Sequence, residues 1–166
     1  KDWWYFCEFE LNETELNSSF HLILERLATV CEIYVNEKLI ATHANMFVPL
    51  RLDLSALLTS HNNLAICFRS LNEQLKQRKP RPRCKTNLVT DQQLRWFRTP
   101  LLGYIPGWTP ATPAIGICGP AQLKKLNHPE ITNLQLTTCL KNNTGSIIVK
   151  CQLDRPIEKL FLTFND

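Results

Sequence analysis

Clustered cysteine is the first thing this chain does without. Its seven cysteines, Cys7, Cys31, Cys67, Cys84, Cys118, Cys139 and Cys151, lie far apart, with no C-x-x-C pair among them. A structural zinc site needs short Cys/His spacings, and a small disulfide framework usually shows an even count, so neither is expected. Most of the seven sit in apolar, strand-like runs such as Trp4-Tyr5-Phe6-Cys7 and Leu64-Ala65-Ile66-Cys67-Phe68, where free cysteine packs as a small hydrophobe. Scattered, unpaired thiols lean towards a reducing compartment such as the cytoplasm. Glycine is scarce: five in 166 residues, four of them crowded between positions 103 and 119. There is accordingly no Gly-rich phosphate loop and no G-x-S-x-G nucleophile turn. No apolar run approaches the ~18 residues a spanning helix requires, so no membrane partner is expected. An excess of one charge is lacking too: 19 Lys and Arg against 15 Asp and Glu leave a net +4, too mild to point to a partner. Three N-x-S/T triplets, at Asn12, Asn17 and Asn142, are within what a chain rich in Asn, Ser and Thr supplies by chance.

What is present is strand. Residues 4–11 roughly alternate bulky and polar side chains, residues 20–26 do so less strictly, and residues 50–54 alternate cleanly. Residues 31–42 read as a hairpin with its turn at Asn36-Glu37, because Asn tolerates the positive φ a tight turn demands. Residues 55–58 suggest one helical turn capped by Asp53 or Ser55, and residues 63–70 another strand. From 71 to 90 the apolar periodicity disappears, and a long exposed excursion is expected, entered by a short helix at 71–77. Residues 103–120 hold four Gly and four Pro, the mark of an irregular but packed loop, before a closing strand at 121–126. After Asn127-His128-Pro129 the pattern restarts with strands at 131–140, 147–153 and 160–164. Three strands cannot close an immunoglobulin-like sandwich, which takes about seven. The expected fold is all-β: a jelly-roll-like antiparallel β-sandwich at 1–126, then an incomplete immunoglobulin-like β-sandwich at 127–166, the whole being a piece of a longer chain.

The chemistry-bearing residues are few. Lys76, Arg78, Lys79, Arg81, Arg83 and Lys85 place six positive charges in ten residues, but no recognition helix or ladder of stacking aromatics accompanies them. A solvated loop is therefore expected rather than a nucleic-acid site. Sugar cleavage needs two carboxylates flanking one bond, whereas Glu25, Glu32, Asp53 and Asp91 are lone strand or turn residues. The four histidines, His21, His43, His61 and His128, fall in unrelated positions. No catalytic residue and no metal ligand is assigned. One cluster stands apart: Arg95-Trp96-Phe97-Arg98, then Tyr104 and Gly107-Trp108. Flat aromatic faces stack on the C–H face of a sugar, and guanidinium offers a fork of donors to hydroxyls, so Arg98, Trp108 and Trp96 are candidate substrate contacts. On composition alone the other reading, in which the two tryptophans plug the end of the sandwich, is the stronger.

Several segments, in order, carry a family resemblance. Asp2-Trp3-Trp4-Tyr5, the strands 20–27 and 28–36, Phe47-Val48-Pro49-Leu50 leading into Leu52-Asp53-Leu54, and Asn62-Asn63-Leu64-Ala65-Ile66 resemble the amino-terminal sandwich of glycoside hydrolase family 2. Within it, Arg98, Pro106-Gly107-Trp108-Thr109-Pro110 and Gly116-Ile117-Cys118 align with the β-mannosidase branch's leading arginine, its W-D-W-G-P and its G-I-W. Gly107 stands where that branch carries an aspartate that would contact mannose hydroxyls, and Cys118 stands where a tryptophan is usual. The resemblance implies a non-catalytic front part of a retaining exo-β-glycosidase, with two catalytic glutamates on a downstream barrel domain, a β-linked carbohydrate substrate and no cofactor. It gives the loop around Arg98 and Trp108 to the rim of the substrate pocket. A stand-alone carbohydrate-binding or adhesion module is the alternative.

Overall fold

In the computed structural model, which describes residues 1–80, 83–161 and 163, alternation builds the core. Phe20, Leu22 and Leu24 of β2 (Phe20–Leu24) are buried while His21 and Ile23 are half-buried, and Cys31, Ile33 and Val35 of β4 (Cys31–Val35) repeat the pattern. Successive strand side chains point to opposite faces, so each strand offers one apolar row. β4 runs between β7 (His61–Phe68) and β5 (Lys38–His43), and β1 (Trp3–Glu10) flanks β7, giving a sheet in the order β1-β7-β4-β5. β2 runs between β6 (Leu50–Asp53) and β9 (Ala121–Lys125) in a second sheet, and β3 (Leu27–Ala28) pairs with β8 (Gly116–Ile117). All these pairings are antiparallel. Leu22 and Leu24 meet Ile33, Val35, Ile66 and Phe68 between the sheets, with Leu27, Cys31 and Leu54 completing the cluster. This is the antiparallel β-sandwich the sequence leads one to expect.

The turns have local causes. Asn36 and Glu37 both take positive φ, 48° and 65°, the geometry of a two-residue hairpin turn whose twist matches that of its strands. The Asn36 side chain then donates to Leu57 O at 3.0 Å and to Asn62 Oδ1 at 3.1 Å, tying the hairpin to the start of β7. Asn62, buried, holds Thr59 through its N–H and its carbonyl. Asp53 accepts from the Ser55 N–H and hydroxyl and so starts the turn in which Leu58 N–H reaches Leu54 O. A one-turn helix, α1 (Glu13–Leu16), was not expected; Asn12 and Glu15 cap each other reciprocally to form it.

Two expectations need correction. Residues 71–90 are not wholly exposed: Leu75, at the end of helix α2 (Leu71–Leu75), and Val89 are buried with Leu94 in a second small core. Only Cys31 and Cys67 of the seven thiols are buried; Cys7, Cys84, Cys118 and Cys139 are exposed. The strand expected at 160–164 falls partly on Leu162 and Phe164, which lie outside the described residues.

The chain divides into two compact units, Lys1–Lys125 and Leu126–Asp166. The second is a long hairpin of β10 (Ile131–Lys141) and β11 (Thr144–Leu153), turning at Asn142 and Asn143 with φ 47° and 64°. Its register sets Leu136 opposite Val149 on one face and Gln135 opposite Lys150 on the other.

Candidate functional site

Arg98 marks the point where the excursion after β7 rejoins the sandwich. Asn45 and Arg98 form a parallel bridge in which the Met46 N–H donates to Arg98 O at 2.9 Å. One residue on, the buried Thr29 hydroxyl donates to Thr99 Oγ1 at 2.5 Å. The Arg98 backbone is thus fixed while its side chain is exposed, and among the described residues its guanidinium meets no hydrogen-bond partner.

The following loop is held by its own turns. Tyr104 N–H donates to Leu101 O, and both Trp108 and Thr109 N–H donate to Ile105 O. Thr109 Oγ1 also accepts from the Gly103 N–H at 3.1 Å. Pro106 and Gly107 are the central pair of the turn from 105 to 108, and Gly107 takes φ +81°, the left-handed value that the third position of a type II turn requires. A Cβ there would meet nothing within 4 Å, so only the backbone angle asks for glycine. At Gly103 the space itself is filled: a Cβ would lie 2.3 Å from Pro113 N.

Beneath the loop sits the small core of Leu75, Val89 and Leu94, against which Phe97 and Tyr104 pack. Arg95, in the 3-10 helix Gln92–Trp96, donates to Gln92 O, Gln92 Oε1 and Cys84 O, and so closes the excursion on itself. An open cleft of about 580 Å³ runs along this region, lined by Cys84, Leu88, Val89, Leu94, Phe97 and Leu101 among others. Lys79 places Nζ 4.5 Å from the centre of the Phe97 ring. Burial, and then the Asp91 charge, raise the Tyr104 hydroxyl above its ordinary value.

The three sequence-selected residues are all at the surface. Trp96 is 46% exposed and Trp108 80%, so Trp108 plugs nothing within this unit. None of the three lines the 580 Å³ cleft. Among the described residues no group of three His, Cys, Asp or Glu could hold a metal, and no helix is long and apolar enough to cross a membrane.

A second assembly, unnoticed in the sequence, lies on the outer face of the β1-β7-β4-β5 sheet. The registers set Trp4, Cys67 and Glu32 in one row across three strands, and Phe6, Ala65 and Tyr34 in the next. Trp4 and Phe6 are parallel within 10°, their centroids 5.8 Å apart, and Trp4 approaches Tyr34 at 5.7 Å. The rings of β1 and β4 meet across β7 because β7 contributes only Ala65 and Cys67 there, and both are buried. Above this band Arg69 grips Glu32 with two donors (3.0 and 2.7 Å) and Asp2 with a third (2.7 Å). The Ser70 N–H and then Arg69 hold the Asp2 carboxyl below its usual range; Arg69 and then Tyr34 do the same for Glu32. The signal that could have found this is the i, i+2 pair of Trp4 and Phe6 facing a hairpin tyrosine.

Comparison with known proteins follows the same outline. Residues 1–119 match the family model described as glycosyl hydrolase 2 galactose-binding domain-like. No curated protein matches the chain. Among solved structures, the β-D-mannosidase of Dictyoglomus thermophilum superposes with a TM-score of 0.78 at 23% identity, over 92% of this chain and 19% of that one. A β-glycosidase from Bacteroides vulgatus gives 0.62 at 16% identity, over 94% and 16%. A β-glucuronidase from Ruminococcus gnavus gives 0.60 at 14%, over 93% and 24%. The chain therefore spans a quarter or less of the length of these solved relatives.

Proposed function

Because this chain belongs to the galactose-binding domain-like family of glycosyl hydrolase 2, we propose that it is the non-catalytic amino-terminal part of a β-mannosidase-like exo-β-glycosidase. In this reading residues 1–126 form the sandwich that braces a downstream catalytic barrel, and residues 127–166 begin an immunoglobulin-like domain. The observation that carries it is the family match over residues 1–119, which takes in all of the sandwich but β9, and the loop with the exposed Arg98 and Trp108. The substrate is a β-linked carbohydrate. Arg98 offers a donor fork whose N–H groups are unspent, and Trp108 offers a stacking face with Trp96 nearby in sequence; all three serve the rim of the pocket. Gly107 supplies no side chain where the β-mannosidase branch has its aspartate, so discrimination between mannosides and glucosides or galactosides is weak. Removing a site's hydrogen-bond partner is what costs discrimination most.

The test is Arg98→Ala and Trp108→Ala in the full-length enzyme, assayed on nitrophenyl β-mannoside, β-glucoside and β-galactoside. A tenfold or greater loss of kcat/KM is expected, with melting temperature shifted by only about 2 °C, as suits exposed side chains. A collapse in melting temperature with unchanged kinetics would overturn the rim role.

A further inference from the structure

We infer that the outer face of the four-stranded sheet carries a second carbohydrate site, a surface platform of Trp4, Phe6 and Tyr34 that holds a neutral β-linked polysaccharide. The inference rests on the glycosidase reading for the class of ligand; the geometry stands without it. Trp4 is 47% exposed and Phe6 75%, although each is a large aromatic with a ring neighbour within 6 Å. Aromatic side chains normally bury that surface, and three rings gathered over two small residues form a platform rather than a scatter. Trp4 and Phe6 are stacked on each other with their planes within 10°, so each ring turns one face to its neighbour and Phe6, the more exposed, keeps the more open surface for a sugar.

What surrounds the rings selects the occupant. The row above holds Asp2 and Arg69, and the row below holds Glu8 and Asn63, so the apolar band is only two side chains deep. The aromatics in that band, with Leu39 opposite Tyr34, offer roughly 400 Å² in all, against the ~800 Å² per partner that a stable protein interface buries. A second copy or a docking protein is poorly served by so narrow a strip. An anionic ligand is served no better, since the single Arg69 is bonded to two carboxylates, Glu32 and Asp2, and leaves one negative charge beside the rings. The carboxylates nonetheless keep free lone pairs beside the rings, and an ionised carboxylate can accept about four hydrogen bonds. Apolar ring faces edged by hydrogen-bond acceptors suit a polyhydroxylated ring.

The experiment is affinity electrophoresis of the full-length protein in gels containing soluble galactomannan or hydroxyethyl cellulose, with Phe6→Thr and Trp4→Ala alongside. Thr keeps the strand preference of an exposed position. Retardation of the wild type is expected in at least one gel. Phe6→Thr should weaken it fivefold or more, while kcat/KM on nitrophenyl glycosides stays unchanged. Quenching of tryptophan fluorescence by mannohexaose or cellohexaose, lost in Trp4→Ala while Trp96 and Trp108 remain, gives a second readout. Absence of wild-type retardation and quenching, or retardation undiminished in both variants, would overturn the site. A dimer in sedimentation that Phe6→Thr dissociates would overturn it in favour of a second copy. Full glycosidase activity without polysaccharide retention sinks this proposal alone. Phe6-dependent retention without activity supports it and sinks the glycosidase reading instead.

Discussion

Asn36 and Asn63 hold each other: the Asn36 N–H donates to Asn63 O at 3.0 Å, and the Asn63 N–H donates to Asn36 Oδ1 at 2.9 Å. With its further donations to Leu57 O and Asn62 Oδ1, the Asn36 side chain links the β4–β5 turn, the start of β7 and the turn after β6. Asn36 also sits at φ 48°, which asparagine tolerates better than most residues. Asn36→Ala should therefore cost about 2–3 kcal/mol, from the orphaned partners and the backbone angle together. Urea unfolding with an unchanged slope would report it; a loss under about 0.5 kcal/mol would mean water replaces these bonds.

Glycine substitutions in the loop should separate space from backbone angle. Gly107→Ala meets open solvent and should cost about 1 kcal/mol, the left-handed penalty alone. Gly103→Ala adds a Cβ against the Pro113 backbone and should cost several times more. Equal midpoints for the two variants in a denaturant titration would contradict this.

Thiol chemistry offers a map of burial. Burial pushes Cys31 up to about 12, so at pH 8 only about one molecule in ten thousand carries its thiolate. Cys7, Cys84, Cys118 and Cys139 should react with an aromatic disulfide reagent in the native protein, whereas Cys31 and Cys67 should wait for unfolding. Mass mapping of the labelled cysteines decides it. Native labelling of Cys31 or Cys67 would contradict the sandwich packing.

The Arg69 cluster predicts an acid-side weakness. Asp2 and Glu32 both have folded values below their ordinary 3.8 and 4.5, so their contribution is fully present above the unfolded values. It is lost as pH falls from about 4.5 through the lowered folded values. Because the pair is open to solvent, Arg69→Met should cost only about 1 kcal/mol at pH 7. The gap between wild type and variant should narrow as pH falls below about 4.5. A gap independent of pH would assign Arg69 a packing role instead.

How far the sequence led depends on whether the forces were local. β2, β4 and the Asn36 turn were legible because alternation, loose in β2, and a left-handed asparagine need no distant partner. The core of Leu75, Val89 and Leu94 was not, since three apolar residues spread over 71–97 carry no period. The α1 turn did leave a trace, Asn12 three residues before Glu15, but a four-residue helix offers too little else to be picked out. Arg98 and Trp108 came forward through family resemblance more than through chemistry. The Arg98 backbone is fixed by contacts from afar, Asn45 to Arg98 and Thr29 to Thr99, which span 53 and 70 positions. The platform of Trp4, Phe6 and Tyr34 needed a register across three strands, which no single-strand pattern supplies.

The bond between Thr29 and Thr99, with the Asn45–Arg98 bridge beside it, also decides where the chain can change length. It divides what would be one closure of about 45 residues, from β7 to β8, into two loops that fold as separate problems. In the first, residues 76–80 and 83–85 are charged and mostly exposed, and lengthening a flexible loop costs little: each doubling adds only about 0.6 kcal/mol of ordering entropy. In the second, Gly103 and Pro113 touch backbone to backbone, and no slack exists to absorb an added residue. Natural length variation in this lineage should accordingly collect before residue 91 and avoid residues 101–115.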